Sequence, residues 1–443
     1  MTTQTPIQPV IYQAREVGLN PADFSEAARA ITRGLHDAGY HAYIVGGGVR
    51  DSLLDLHPKD FDVATDATPE QIKQVFGRQC QIIGRRFLLA HVYHNRQMIE
   101  VATFRAPHHE STHHGEVSSH GVIVRDNVWG RIDQDAMRRD FSINSLYYDP
   151  VDEVILDFCG GMPDLKNRQL RMIGHDPAER YREDPVRMLR ALRFAAKLGF
   201  NLEPATAAPI RSLAPMLGGI SHHRLYDESL KLFSCGHLEV LIPGLLYAGL
   251  LGQLFPHLRD SRQPSPLVML AARNTDERLR QGKSVNPAFF YAVLMWDWHQ
   301  YEVKRMLDNG EALVPAWQQA AIKVMGRQYQ RTALPKHISQ TIRDIWELQP
   351  RLQRPRGRLV PALLANPRFR AAFDFLWLRE QTGDTQTQGM GDWWHRYQEA
   401  DDDLRESMLR QLDRPARKPK GGRQPAATAD LAAEAVPGES GEA

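Results

Sequence analysis

The strongest structural signal in this chain is the stretch Tyr43-Ile44-Val45-Gly46-Gly47-Gly48-Val49-Arg50-Asp51, followed by Lys59-Asp60-Phe61-Asp62-Val63. Its first part predicts a short apolar strand, a glycine loop and a helix from Val49 to Leu56. Its second part alternates polar and apolar side chains, as a half-buried strand does. Strand, loop, helix and strand in this order predict the centre of a unit that mixes strands and helices.

Two carboxylates, Asp60 and Asp62, are separated by one residue in the second predicted strand. Side chains alternate along a strand, so both should project from the same face. Mg²⁺ takes a few carboxylate oxygens and completes its shell with water and substrate phosphates. The pair can therefore support displacement at a nucleotide α-phosphate, although such a pair is also typical of a solvated strand edge.

Three glycines, Gly46, Gly47 and Gly48, precede the predicted helix start. Free backbone N–H groups and the helix dipole favour a phosphate there, and Arg50 adds positive charge. A glycine triplet alone is more often a tight turn, and its spacing matches neither the Walker nor the dinucleotide-binding pattern. The combination of glycine loop and carboxylate pair is what indicates phosphate chemistry.

Two further segments carry paired charges. Arg138 and Arg139 supply bidentate donors for phosphate oxygens. Asp140 and Asn144, four residues apart on a predicted helix, would share a face and hydrogen-bond a ribose. A surface salt-bridged helical turn is the alternative reading of this segment.

The second segment is Glu183-Asp184-Pro185-Val186-Arg187, followed by Arg190. Asp184 is typical of a helix N-cap and Pro185 of a first helical residue, so a purely structural role is available. A carboxylate and a guanidinium one turn apart also offer the acceptor and donor that a nucleobase edge requires.

Composition excludes several classes of protein. At 443 residues, two or more compact units are expected, and 55 basic against 53 acidic residues give a net charge of only +2. The three cysteines are far apart, which argues against a disulfide framework and favours a reducing cytosol. The N-terminus lacks a signal-peptide pattern, and we predict no transmembrane segment and a cytoplasmic location.

In this order, the motifs resemble the class II tRNA nucleotidyltransferase and poly(A) polymerase family of the polymerase-beta superfamily. The resemblance covers residues 40–200 strongly and includes Asp164-Leu165-Lys166. It implies an α+β nucleotidyltransferase head with a mixed sheet, followed by all-α neck and body domains that hold RNA. The expected boundaries are a flexible leader at 1–20, the head at 21–160, the neck at 161–220, the body at 221–412 and a disordered basic tail at 413–443 that becomes acidic towards its end.

The resemblance also implies roles for individual residues. Asp60 and Asp62 would be the metal-binding catalytic carboxylates, with Glu100 as a supporting carboxylate, and Mg²⁺ is the expected metal with Mn²⁺ as an alternative. The residues expected to bind the nucleotide are Gly46, Gly47, Gly48, Arg50, Arg138, Arg139, Asp140, Asn144, Glu183, Asp184, Arg187 and Arg190.

Three activities fit these motifs. The first is template-independent transfer of AMP from ATP to RNA 3′ ends with release of pyrophosphate, with RNA-decay proteins as candidate partners. The second is CCA addition to tRNA with CTP and ATP, and the third is RNA binding without catalysis. Residues 82–92, 254–256 and 368–374 resemble bacterial poly(A) polymerases, and a basic tail suits sequence-independent RNA binding, so we favour the first.

Overall fold

Residues 10–157 build an eight-stranded mixed sheet, and nearly everything after them is helical. The structure is a computed structural model that describes residues 5–58, 60–84, 88–106, 116–117, 123–125 and 129–412. The predicted α+β head with a helical remainder is confirmed. The predicted disordered tail at 413–443 lies outside the described residues, as do Lys59 and residues 85–87.

The strands are β1 (Val10–Gln13), β2 (Ala42–Val45), β3 (Asp62–Thr65), β4 (Cys80–Ile83), β5 (Leu89–His94), β6 (Gln97–Thr103), β7 (Glu116–Val117), β8 (Ile123–Arg125), β9 (Leu146–Asp149), β10 (Val154–Asp157), β11 (Gln169–Leu170) and β12 (Asn201–Leu202). The main sheet has the order β1-β10-β9-β2-β3-β6-β5-β4. Within it, β3 and β6 are parallel and every other neighbouring pair is antiparallel. The strand that begins at Asp62 therefore lies in the middle of the sheet.

The helices that accompany the sheet are α1 (Glu26–Asp37), α2 (Gly47–Leu53), α3 (Pro69–Phe76), α4 (Ile132–Arg138) and α5 (Gly161–Lys166). They are followed by α6 (Pro177–Glu183), α7 (Val186–Leu198), α8 (Pro204–Ala207), α9 (Ile210–Leu213), α10 (His222–Phe233), α11 (Leu238–Tyr247), α12 (Leu250–Leu254), α13 (Pro266–Arg280), α14 (Pro287–Leu294), α15 (Trp296–Asp308), α16 (Leu313–Tyr329), α17 (Lys336–Gln353), α18 (Val360–Leu364), α19 (Phe369–Gln381), α20 (Met390–Glu399) and α21 (Asp402–Leu412). Among the described residues, no helix combines the length and the apolar character needed to cross a lipid bilayer.

One face of the sheet forms the main core of the head. Helix α1 begins at its N-cap Ser25, whose hydroxyl accepts a hydrogen bond from the backbone N–H of Ala28 at 3.2 Å. Its apolar residues Ile31 and Leu35 recur at helical spacing, and α1 packs against β2, β3, β5 and β6, while α3 packs against β4 and β5. Burying these side chains is the main stabilising contribution to the head.

The opposite face of the sheet is partly covered by α4. Tyr43, Val45, Ala64 and Tyr147, from β2, β3 and β9, pack there against Ala136 of α4 in a separate buried cluster. Helix α4 therefore covers the part of this face that β9, β2 and β3 form.

The leader prediction was wrong for Val10–Gln13, which forms β1 and pairs with Val154–Asp157 of β10. The short run Val10-Ile11-Tyr12 has high strand propensity, but only its distant partner makes it a strand.

The strand predicted from Lys59 begins later, at Asp62, so Asp60 precedes it and is exposed. A third prediction, that Asp140 and Asn144 lie on one helix, was also wrong, because α4 ends at Arg138 and a short 3₁₀ turn begins at Ser142.

Candidate active site

The glycine loop joins β2 to α2 and requires glycine at two positions for different reasons. Gly46 has φ 74° and ψ −133°, a backbone conformation that side chains other than glycine rarely adopt. A Cβ on Gly48 would lie 2.8 Å from the ring of Phe61, just before Asp62. Glycine here lets α2 approach the chain that carries the carboxylates.

Arg50 of α2 points inward and is only 2% exposed. Its Nε donates to Asp51 Oδ1 at 2.7 Å, and its Nη1 donates to Asn144 Oδ1. The guanidinium also lies 5.1 Å from the centre of the Phe194 ring. Arg50 lines the cleft, but it also connects the glycine loop to Asn144 of the later motif.

Two of the predicted catalytic carboxylates are strand neighbours. Asp62 opens β3 directly opposite Glu100 of the parallel strand β6, so their side chains share a face. Surrounding protein atoms displace part of the solvent around Asp62, and this, with the charges of Glu100 and Asp60, raises the pKa of Asp62 to about 6 against the opposing effect of Arg139. Asp62 thus lies where a bound cation would offset unfavourable negative charge.

Within the described part of the chain, no three His, Cys, Asp or Glu side chains converge closely enough to hold a metal on their own. Mg²⁺ typically takes only one or two protein carboxylates and fills its shell with water and substrate phosphates. The pair Asp60 and Asp62 fits that kind of site better than a closed protein cage.

Arg139 is held over the glycine loop by two residues that the sequence motifs did not reveal. Its Nη2 donates to Asp135 Oδ2 at 3.0 Å and its Nε to the Tyr147 hydroxyl at 2.9 Å. The Tyr147 hydroxyl in turn donates to Asp135 Oδ2 at 2.7 Å. Burial opposes the charge of Asp135, but Arg139 and Arg138 keep its pKa below the usual value. Asp135 lies four residues before Arg139, a spacing that could have predicted the pair.

Asp140 organises the expected ribose contacts. Its Oδ1 accepts from the backbone N–H of Phe141 at 2.8 Å and from Asn144 Nδ2 at 3.1 Å, and its Oδ2 accepts from Arg190 Nε at 2.6 Å. Burial alone would raise its pKa, but Arg190 and these hydrogen bonds lower the pKa of Asp140 to about 2. The predicted proximity of Asp140 and Asn144 is therefore correct, although a loop and a 3₁₀ turn produce it.

The motif at Glu183 is fixed by further arginines. Glu183 Oε2 accepts from Arg187 Nη1 at 2.9 Å and from Arg180 Nη1 at 2.5 Å. Arg180 Nη2 also donates to the backbone carbonyls of Arg138 and Arg139, each at 2.7 Å. Arg180 thereby joins α6 to the end of α4.

Asp184 pairs across a long sequence distance. Its Oδ2 accepts from Arg224 Nη2 of α10 at 2.7 Å, and its Oδ1 accepts from the Val186 N–H at 3.3 Å, close to the predicted capping role. Arg224 and Glu228, one turn apart on α10, also line the cleft. No motif pointed to these two residues.

A cleft of about 390 Å³ unites most of the predicted residues. Those that line it are Gly46, Gly47, Arg50, Asp62, Arg139, Asp140, Asn144, Asp184, Arg187 and Arg190, with Phe194, Arg224 and Glu228 in addition. The predicted residues outside this lining are Gly48, Asp60, Glu100, Arg138 and Glu183. Arg138 lies near Asp135, with 3.9 Å between Nη1 and Oδ1.

The chemistry of the walls distinguishes this cleft from two larger cavities of about 700 and 680 Å³ in the helical body. Five arginines surround the cleft, and Asp62, whose charged form is disfavoured by its surroundings, lies at one end. Such an arrangement suits a polyanionic ligand with a metal at the reacting end. Its volume is within the usual range for ligand clefts.

Three family models match parts of this chain. Residues 42–171 match the Poly A polymerase head domain, residues 199–261 match a probable RNA and SrmB-binding site of polymerase A, and residues 309–427 match the polymerase A arginine-rich C-terminus.

Individual relatives differ in how much of the chain they match. Poly(A) polymerase I of Haemophilus influenzae is 42% identical over 420 residues, which cover 93% of this chain and 92% of the relative. A CCA-adding enzyme of Enterococcus faecalis is 41% identical over 213 residues, or 48% of this chain and 50% of the relative.

Solved structures show the fold. An apo form of a CCA-adding enzyme superposes with a TM-score of 0.63 at 18% identity, covering 93% of this chain and 97% of that one. The motifs are thus set in a fold shared with CCA-adding enzymes, while the similarity to the Haemophilus relative covers 93% of the chain and therefore most of the helical region. The chain belongs to the poly(A) polymerase I family.

Proposed function

We propose that this protein adds AMP from ATP to the 3′-hydroxyl of RNA without a template and releases pyrophosphate. The observation that carries the proposal is the cleft, in which an arginine wall lies beside the carboxylate Asp62 at the edge of the glycine loop. The triphosphate of a nucleotide matches this distribution of charge. The 42% identity to a poly(A) polymerase I along 93% of the chain supports ATP and RNA as the substrates.

Asp60 and Asp62 are the residues that would hold Mg²⁺, with Mn²⁺ as the alternative. When bound, the metal would neutralise charge on the reacting phosphate and lower the pKa of the attacking hydroxyl. The contribution of the chain itself is positioning and electrostatic stabilisation, which dominate in phosphoryl-type transfer. Glu100, beside Asp62, adds negative charge where the attacking hydroxyl must lose its proton.

The remaining residues orient the nucleotide. Arg139, fixed by Asp135 and Tyr147, presents its free edge above the glycine loop, where it can hold triphosphate oxygens. Asp140 and Asn144 offer a preorganised polar pair to the ribose. Asp184 and Arg187 provide an acceptor and a donor for the base edge.

The second candidate is CCA addition to tRNA. The half-chain match to a CCA-adding enzyme and the shared fold favour it. Adenine and cytosine both present an amino donor next to a ring-nitrogen acceptor, so Asp184 and Arg187 suit either base. What argues for polyadenylation is that poly(A) polymerase I similarity extends over the helical regions as well.

Primer extension separates the two activities. A generic single-stranded RNA and a tRNA that lacks its terminal CCA are each incubated with ATP, CTP or both. Long tails on the generic RNA with ATP alone support polyadenylation, whereas a three-nucleotide addition confined to the tRNA and dependent on CTP would refute it. The Asp62→Asn variant is the matched control: it should bind RNA normally and lose about 10³-fold or more in rate, or about 4 kcal/mol of transition-state stabilisation.

A further inference from the structure

The face of the sheet that α4 covers over β2, β3 and β9 continues onto β6 and β5, where part of it is exposed. Alternation makes this clear: Ala90, Val92, Ile99 and Val101 point into the core and are at most 1% exposed. Their neighbours point the other way, and Tyr93 and Met98 are 42% and 43% exposed. We call the surface formed by His91, Tyr93, Met98 and Glu100 the open face.

Strand register places the open face beside the catalytic carboxylates. Tyr93 is paired with Met98, and His91 with Glu100, across the hairpin of β5 and β6. Glu100 is in turn opposite Asp62 of β3. Met98 lies two residues before Glu100 on β6 and therefore on the same face of the sheet, so the exposed apolar pair continues the row formed by His91, Glu100 and Asp62. Neighbouring strands are about 4.8 Å apart, so β5 lies roughly 10 Å from β3, a distance comparable with the size of one nucleotide.

The two sides of β3 differ in chemistry. On the β2 side lie the glycine loop, Arg139 and Asn144, which line the cleft that suits the triphosphate. On the β6 side lie Glu100 and the open face. In-line displacement requires the attacking hydroxyl to approach opposite the leaving pyrophosphate. With the triphosphate on the β2 side, the hydroxyl must approach from the β6 side.

We propose that the open face binds the 3′-terminal nucleotide of the RNA acceptor, with its base on Tyr93 and Met98 and its 3′-hydroxyl beside Asp62 and Glu100. This inference rests on the proposed function, because it assigns a place to the second substrate of that reaction. An aromatic ring stacks on any base, and a thioether adapts to ring edges. The surface therefore accepts RNA ends of any sequence. The hairpin tip adds the exposed cation Arg96, which suits the phosphates of the preceding nucleotides.

The test compares steady-state AMP incorporation by the full chain and its variants on a short unstructured RNA. Tyr93→Ala should raise KM for RNA about tenfold, as expected when one base loses its stacking partner, and leave KM for ATP unchanged. Tyr93→Phe keeps the ring and should behave like the wild type. Ile11→Ala, which removes an exposed apolar side chain from the opposite edge strand of the same sheet, is the matched control and should change neither constant.

Thermal unfolding of each variant checks the fold, and Tyr93→Thr, which retains strand propensity, replaces Tyr93→Ala if the latter unfolds early. An unchanged KM for RNA in a folded Tyr93 variant overturns the inference while the wild type still extends RNA. A Tyr93 variant in which only the oligomeric state of the protein changes also overturns the inference, since the face would then be an interface between copies. A wild-type protein that transfers no AMP to RNA instead overturns the proposed function, and with it this site.

Discussion

Replacing Asp62 by asparagine is expected to stop nucleotidyl transfer and, at the same time, to stabilise the metal-free protein. In the folded chain the carboxylate lies next to Glu100 and near Asp60, with solvent partly displaced, and its pKa is raised to about 6. A carboxyl whose pKa is higher in the folded than in the unfolded state destabilises the fold when it is charged. The asparagine side chain keeps the shape and removes that charge.

The size of the effect follows from the pKa. A change from 3.8 to about 6 corresponds to at most about 3 kcal/mol, at 1.36 kcal/mol per pH unit. The side chain is exposed to water, which screens the interaction, so we expect about 1 kcal/mol. The penalty is complete above the folded pKa of about 6 and absent below the unfolded pKa of 3.8. The variant should therefore be more stable than the wild type at alkaline pH and equal to it near pH 3.8.

Thermal unfolding with a chelator present, followed across this pH range, measures the difference. A gain of about 1 kcal/mol shifts Tm by roughly 2–4 °C for a unit of 150–250 residues. Adding Mg²⁺ should raise the Tm of the wild type and leave that of the variant nearly unchanged. An Asp62→Asn variant that is less stable than the wild type at alkaline pH would refute the charge penalty inferred for Asp62. A variant that retains turnover would refute its role in nucleotidyl transfer.

Three further changes test other parts of the molecule. Arg190→Met leaves the buried Asp140 carboxylate without its counter-ion, so urea unfolding should show a loss of about 2–4 kcal/mol and ATP should bind more weakly. Adding Asp140→Asn to this variant should restore its stability but not its affinity for ATP. Full recovery of both would contradict the assignment. His299 is fully buried, and burial lowers its pKa to about 4 from 6.5. Since only the unfolded chain takes up a proton between these two values, the free energy of unfolding should fall by up to about 3 kcal/mol as the pH drops from 6.5 to 4. The His299→Gln variant should show a flatter pH dependence in unfolding curves. Truncation after Leu412 should weaken RNA binding and reduce the salt slope of its affinity, and an unchanged slope would show that the tail makes no phosphate contacts.

Local sequence patterns predicted the strands and helices around the site well. The strand before the glycines forms as expected, and the helix predicted from Val49 to Leu56 forms as Gly47–Leu53. Such elements are defined by alternation or helical spacing within a few residues, and a local signal of the same kind is the capping box at Thr68, where the helix Pro69–Phe76 begins. The pairing of Asp62 with Glu100 is a property of the sheet and could not be read from one strand.

The contacts that complete the cleft were less accessible to sequence reasoning. Arg224 meets Asp184 only because α10 folds back against α7, and Tyr147 meets Arg139 because α4 packs over the face of the sheet that carries Tyr147. Such pairs depend on tertiary packing, for which a single sequence has no periodic signal. The strand at Val10–Gln13 was missed for the same reason, because its partner β10 is remote in sequence.

The strand order also has a consequence for folding during synthesis. Strands β2 to β6 are neighbours in the sheet and close in sequence, so they can pair soon after they leave the ribosome. Strand β1 is translated first but must wait for β10, and Arg190 follows later still. A nascent chain therefore contains Arg50 and the carboxylates Asp60 and Asp62 before it contains the other four arginines that surround the cleft. The growing protein acquires the proposed metal-binding carboxylates first and most of the proposed nucleotide-binding residues last.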